Sequence, residues 1–314
     1  MARILLRSPY FLTITTASHL SAKLELTIDG TLRYTIIKNA TSNRTVFEIA
    51  SLSRDYINVD FGGSIAVTDT VNISATWYAY SAVDGGGSQL ATATVAHTGL
   101  LGYGKFTEAA NKELLPDKDP TYVGDCGGDG IIYLPENIAG RIIGVDDDEN
   151  IIVYSISSSA TSLDTSDRTY KITRICKPKY ISIKCIYVNK FGMFQEFYFF
   201  LKNVEAFSTQ QEKFKRNIFD YSTSTYNRFN HQSKVFNKNG RTRVTLNTEY
   251  IDECYNEVMQ DIMLSEYVWI NYDSIWRAST VVTNSLTFKT SVNDGLIQYT
   301  LDVEYANDII NNIV

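Results

Sequence analysis

Three histidines, four cysteines and five prolines are all that this 314-residue chain holds of those types. The histidines, His19, His97 and His231, lie far apart, and no GxSxG, HExxH or Cys/His pattern surrounds them. The usual sequence signatures of serine, zinc and thiol hydrolases are therefore missing. No two cysteines have CxxC spacing, which sets aside zinc-ribbon and thioredoxin-like chemistry. Cys185 and Cys254 sit at apolar-periodic positions and read as core thiols. Nothing here calls for an oxidising compartment. No apolar run reaches the length of a membrane span, and the first residues are too interrupted for a signal peptide. Charged residues make up 20%, below the roughly 25% of an average chain.

What the chain has in quantity is tyrosine, 21 copies, with 15 phenylalanines. Tyrosine with β-branched residues favours strands and protein interfaces, where the ring packs and the hydroxyl stays hydrogen-bonded. Residues 1–110 read as an N-terminal β-sandwich-like domain. Leu24, Leu26 and Ile28 alternate with Lys23, Glu25 and Thr27, and Asp29-Gly30 is a hairpin turn leading into a return strand. Val71, Ile73, Ala75, Trp77 and Ala79 alternate again. Residues 111–175 are interrupted by prolines and glycines and read as an irregular insertion, an arm or a small lobe. Residues 176–314 read as a second β domain, with Ser285 to Thr290 among its strands. This domain holds one amphipathic helix over 249–264. Tyr250, Ile251, Cys254, Tyr255, Val258, Met259, Ile262 and Met263 form the helix stripe, and Thr248 is placed to cap it. The fold class expected is mainly β, of sandwich type.

The segment 180–201 is the densest signal. Ile181, Ile183, Cys185 and Tyr187 share one face of a strand, and Ser182, Lys184, Ile186 and Val188 share the other. Asn189-Lys190-Phe191-Gly192 turns into a run carrying Phe194, Phe197, Tyr198, Phe199 and Phe200. Apolar weight on both faces requires cover on both sides, by the rest of the fold or by a partner. The helix is the expected cover for the second face, with a neighbouring subunit as the alternative.

Charge is unevenly placed. Residues 177–243 hold 13 Lys and Arg against 4 acids, and residues 244–314 hold 2 against 11. Opposite signs of equal size either neutralise each other inside one domain or meet between neighbouring copies. Nucleic acid on the basic segment is disfavoured by the acidic whole, except where the protein lines a channel. The residues placed at an interface are Lys213, Lys215, Arg216, Tyr221, Tyr226, Arg228, Phe229, Arg241 and Arg243 on the basic side. On the acidic helix they are Glu249, Asp252, Glu253, Glu257 and Asp261.

Chemical motifs fail at particular residues. Gly99-Leu-Leu-Gly-Tyr-Gly104-Lys105 starts like a phosphate loop, but Phe106 stands where the magnesium-binding hydroxyl is needed. A flexible glycine loop is the expectation there. Residues 125–136 match a calcium loop at several positions, but Gly127 replaces an oxygen ligand. The acidic run 146–149 reads as a solvated turn. No catalytic, metal or cofactor residues are assigned, and no cofactor is expected. A glycan-degrading carboxylate pair stays open, because such pairs are set by distance in space.

Two regions resemble structural proteins of tailed phages that infect Bacteroidetes, including the crAss-like group. One is Arg7-Ser-Pro-Tyr10 with the following hairpin and the stretch from Val46 to Ile57. The other is the hairpin with Asn189-Lys-Phe-Gly192, Arg243-Val-Thr-Leu246, the helix, Tyr267-Val-Trp-Ile-Asn-Tyr272 and the terminal strand from Leu296 to Tyr305. The resemblance implies a non-enzymatic virion component, made in the host bacterial cytoplasm and assembled as a ring in the neck or tail. Its implied partners are copies of itself and other neck or tail proteins. The alternative function is a receptor- or polysaccharide-binding tail protein.

Overall fold

The computed structural model describes residues 2–63, 65, 69–114, 130–146, 150–165, 168–176, 179–226, 228–289 and 297–310. Most of the calcium-like loop, three residues of the acidic run 146–149, Cys126 and Leu296 lie outside these residues.

The protein is mainly β, as expected. The N-terminal half is built on a six-stranded sheet. Its order is Thr31–Asn39, Ser21–Ile28, Val71–Tyr80, Gln89–Leu100, Ala2–Leu5, Glu113–Leu114. Leu24, Leu26 and Ile28 are fully buried, so the alternating pattern faces the way it was read. Asp29 and Gly30 both have positive φ, as their tight turn demands. A two-stranded pair, Phe11–Thr15 with Arg44–Glu48, packs on this face with the short helix Ala50–Arg54. Ile14, Phe47 and Ile49 from this layer meet Leu24, Leu26 and Ile73 in one core. Strand Ala2–Leu5 pairs parallel to residues 97–100, so the chain's start is closed late in this half.

The C-terminal half is a seven-stranded sheet. Its order is Phe194–Phe199, Ile183–Val188, Val268–Tyr272, Ile275–Val281, Thr300–Tyr305, Ser233–Asn247, Val204–Lys215. The strands of segment 130–175 pack on one face of it. Ile132, Leu134, Ile156 and Ile172 share a core with Cys185, Phe199 and Leu246.

Four expectations need correction. The α-helix spans Asn256–Leu264, preceded by a 3-10 turn, Glu253–Tyr255, and does not begin at 249. Residues 248–251 are instead held by the terminal strand region. Thr248 N–H donates to the Tyr299 carbonyl, and Ile251 N–H donates to the Ile297 carbonyl. Thr248 is no cap, because its hydroxyl accepts from Tyr299 N–H. Cys254 is disulfide-bonded, not a core thiol. Cys185 does behave as one: full burial pushes its thiol up to about 12. The described residues of 285–290 form no strand.

Candidate assembly interface

The two hairpins of the C-terminal sheet occupy its opposite edges. The first is 183–199; it starts two residues later than the alternation suggests, and Ile181 lies outside the strand, 79% exposed. Its Cys185/Tyr187 face lies under the helix, against Val258, Met259 and Ile262. Its second face, Ile186, Val188 and Phe194, is covered by the N-terminal half through Leu5, Leu100 and Leu114. Neither the helix nor a neighbouring subunit is needed there. Phe61 wedges into this seam against Trp269, Trp276 and Phe194, with ring centroids 4.8, 4.9 and 5.9 Å away.

The turn of that hairpin is the tightest point of the seam. Gly192 has φ +79°, and a Cβ there would sit 2.7 Å from the backbone nitrogen of Leu101. Opposite it, a Cβ on Gly102 would sit 2.5 Å from the Lys190 carbonyl. Only glycines permit this backbone-to-backbone approach. It is fixed by a hydrogen bond from Tyr103 N–H to the Lys190 carbonyl, 2.7 Å. The 99–105 run is therefore a packing element, not a flexible loop. Gly99 lies within a strand, and Gly102 makes room for the hairpin.

The acidic helix faces the same seam. Asp261 is buried and accepts from the Tyr103 hydroxyl at 2.8 Å and from Lys190 N–H at 3.4 Å. Burial pushes its carboxyl above the usual range, and the Tyr103 hydrogen bond only partly opposes that. Glu257 pairs with Lys105 at 3.1 Å and Lys190 at 3.8 Å. Asp252 accepts from the Tyr133 hydroxyl. Glu249 is buried, and Glu253 is half-buried in the 3-10 turn. At least four of the five carboxylates placed at an intermolecular contact thus bind groups of their own chain: Asp261, Glu257 and Asp252, and also Glu249, which accepts from Tyr250 N–H at 3.1 Å.

The second hairpin, 204–247, is the reverse case. Strand Val204–Lys215 is exposed at every position. Among the described residues it pairs only with Ser233–Asn247, over twelve residue pairs with one bulge. The neighbouring strand Thr300–Tyr305 reaches only to Arg243, and residues 308–310 flank Asn239 and Gly240. Beyond that point the two strands project as an arm, roughly 20 Å before the tip at ~3.4 Å per residue.

At the arm's root the opposite charges meet within the sheet. Arg243 pairs with Asp302 at 2.8 Å, and Arg241 pairs with Glu304 at 3.0 Å and Asp308 at 2.8 Å. The neutralisation read from the sequence is realised here, inside one domain. Past the root it stops. Residues 212–240 hold six Lys and Arg against two acids. Among the described residues Lys213 and Lys215 form no ion pair. Arg216 bends back to the His231 carbonyl at 2.9 Å, and Arg228 is exposed.

Apolar side chains follow the arm outward. Phe207 is 64% exposed and lies across Gly240, where a Cβ would meet its ring. Phe214 and Phe236 touch with centroids 6.1 Å apart. At the tip Phe219 makes edge contacts with Tyr221 and Tyr226, which are themselves exposed, as is Phe229. Tyrosine, phenylalanine and arginine are enriched at interface centres and lysine is depleted there, so the exposed rings, not the lysines, are the feature of this projection that differs from a solvated loop. Sequence reasoning missed the arm's shape.

A cleft of about 240 Å³ opens beside the seam, lined by Tyr103, Lys105, Glu108, Lys112, Glu113 and Lys190. Its carboxylates are engaged: Glu108 by Lys112 at 3.2 Å, and Glu113 by the Tyr10 hydroxyl at 2.6 Å. Among the described residues no three His, Cys, Asp or Glu side chains gather as a metal site. No helix of the structure is long and apolar enough to cross a membrane.

No family model, no curated protein and no solved structure matches this chain.

Proposed function

We propose that this protein is a non-enzymatic assembly subunit of a tailed-phage virion, built into a ring of the neck or tail, with the 204–247 arm as its contact element. The observation that carries the reading is the arm itself. A two-stranded hairpin is marginally stable alone in water. This one extends beyond its sheet with Phe207, Phe214, Phe236, Tyr221 and Tyr226 in solvent. Such a projection gains its stability from what it docks on. The resemblance to phage structural proteins supports the virion setting. The rigid seam between the two halves suits a load-bearing part.

The test shortens the arm. Residues 210–239 are replaced by Asn-Gly, which keeps Arg241, Arg243 and their ion pairs. The expected result is a folded chain that no longer associates in sedimentation, while the wild type does. A shortened chain with undiminished association overturns the reading. Antibody labelling of purified virions checks the location, and labelling restricted to the capsid shell would contradict it.

The exposed tip rings give specific support to one other reading, a glycan-binding tail protein. Sugar stacking needs accessible aromatic faces among polar neighbours, and Tyr221 and Tyr226 supply them. A glycan array probed with the wild type and a Tyr221→Ala/Tyr226→Ala variant separates the two. Hits that vanish in the variant favour the sugar platform, and an empty array leaves the assembly role.

A further inference from the structure

The outer edge of strand Val204–Lys215 is the last edge of the seven-stranded sheet, and among the described residues nothing pairs with it. Twelve residues of unpaired backbone on a projecting strand form a template for strand addition. The usual protections of such an edge are a proline, a dense run of lysines or a covering loop. Residues 204–215 contain no proline, and their two lysines are matched by two glutamates, so this strand is neutral although the arm as a whole is basic.

We infer that this strand pairs antiparallel with the same strand of a second copy, with Thr209 opposite Thr209. Side chains on a strand alternate between faces, and a two-fold axis normal to the sheet keeps each residue on its own face. Only residues of like parity can then oppose each other. With Thr209 at the axis, Glu205 faces Lys213 of the other copy, twice over. Val204 faces Phe214, also twice. Phe207 lies beside Gln211, and Ser208 beside Gln210. A shift to a Gln210 axis keeps two Glu–Lys pairs, Glu205 with Lys215, but puts Phe207 against Lys213 and Val204 against Arg216, and a shift to a Gln211 axis removes the Glu–Lys pairs. Of these registers only Thr209 combines Glu–Lys pairs with a pairing of two large apolar side chains, Val204 and Phe214, and leaves no phenylalanine opposite a lysine.

The basic tips point away from each other in this arrangement, so the arm's excess charge does not oppose it. Two thin arms become one four-stranded ribbon, and the sheets of both copies become continuous. That relieves the marginal state of each arm.

The inference rests on the proposed role of the arm as contact element, but it does not require ring closure. Sedimentation of the full chain tests it with charge swaps. Lys213→Glu places two glutamates against each other at both ends of the pairing. The expected result is association weakened about tenfold, two like-charge pairs costing roughly a kcal/mol or more together. The double variant Glu205→Lys/Lys213→Glu rebuilds both pairs with signs reversed, and affinity is expected to return to within about threefold of wild type. Thr209→Cys is expected to give a reducible covalent dimer under mild oxidation, and Phe207→Cys much less of it.

A double variant as weak as the single one overturns the pairing, and so does a wild-type chain that remains monomeric at every reachable concentration. Association that survives arm shortening overturns the contact role of the arm as well. Association lost on shortening but not rescued by the swap overturns the strand pairing alone.

Discussion

Hairpins 183–199 and 204–247 belong to one sheet and differ in almost every physical respect. The first is covered on both faces, and its turn is pressed onto the backbone of another unit. The second is covered on neither face once it leaves the sheet. Both are rich in aromatic residues. Aromatic content therefore does not decide burial here; what surrounds each hairpin does. At one edge the N-terminal half supplies Leu5, Leu100 and Phe61. At the other edge, among the described residues, residues 308–310 reach no further than Asn239 and Gly240. One hairpin is a cemented joint and the other is a free flange.

The comparison can be broken most forcefully at the glycines. Gly192→Val adds a Cβ to a left-handed residue that already touches the Leu101 backbone, and it should cost about 3 kcal/mol or more in urea unfolding. Gly240→Ala collides with the exposed Phe207 ring, which can swing aside, and comes no closer than ordinary contact, 3.4 Å, to the Ser208 backbone, so it should cost less than about 1 kcal/mol. Equal effects would mean that the two hairpins are alike after all. Next come the rings. Phe194→Ala should lose about 3–5 kcal/mol by opening the seam. Phe207→Ala should move the unfolding midpoint of the dissociated chain very little, and a large shift would show that the arm is part of the core.

Smaller effects sharpen the picture. Tyr103→Phe removes one of the two hydrogen-bond donors placed on the buried Asp261 and should cost about 1–3 kcal/mol. Thr209→Phe on the arm should leave monomer stability unchanged. The mildest effect is one of pH. His97 is buried against Tyr10 on the N-terminal sheet, and burial holds its imidazole below the ordinary value, with Glu113 opposing weakly. The unfolded chain therefore takes up this proton first as pH falls. The contribution is complete above about pH 6.5 and is lost as pH drops from there toward the depressed folded value. Asp261 and Glu196, both raised by burial, act with the opposite sign in the acid range. The histidine's share is read as the difference in slope between wild type and His97→Phe between pH 7 and 5.5. Identical slopes would remove His97 as the cause.

Much of the buried architecture was written in the sequence, because alternation records a face that is always covered. Leu24, Leu26 and Ile28, and the 183–188 strand, were readable for that reason. The arm was not, since neither of its faces is buried and no period of two is imposed on it. The helix start was misjudged at 249 for a related reason. Ile251 and Tyr255 are buried, but Ile251 is held by pairing with Ile297 and not by a helical turn. An apolar stripe cannot tell these cases apart. The charges were legible in sign and number. Their partners were not: Arg243 finds Asp302 in the next strand, whereas Glu257 finds Lys105 far back in the chain. Sequence spacing carries no record of contacts across 152 residues.

The seam also sets a timetable for synthesis. Leu5 and Leu100 lie in the first third of the chain, yet Trp269 and Trp276, which complete their cover, emerge last. Arg7 reaches across to the Leu264 carbonyl. At roughly 5–20 residues per second, the N-terminal half waits on the order of 10–35 s with that apolar face open. During that interval it is a sticky nascent chain, and its yield depends on whatever shields it. Slower translation at 15 °C or co-expressed chaperones should change the soluble fraction of this protein more than that of its N-terminal half carrying polar replacements at Leu5 and Leu100.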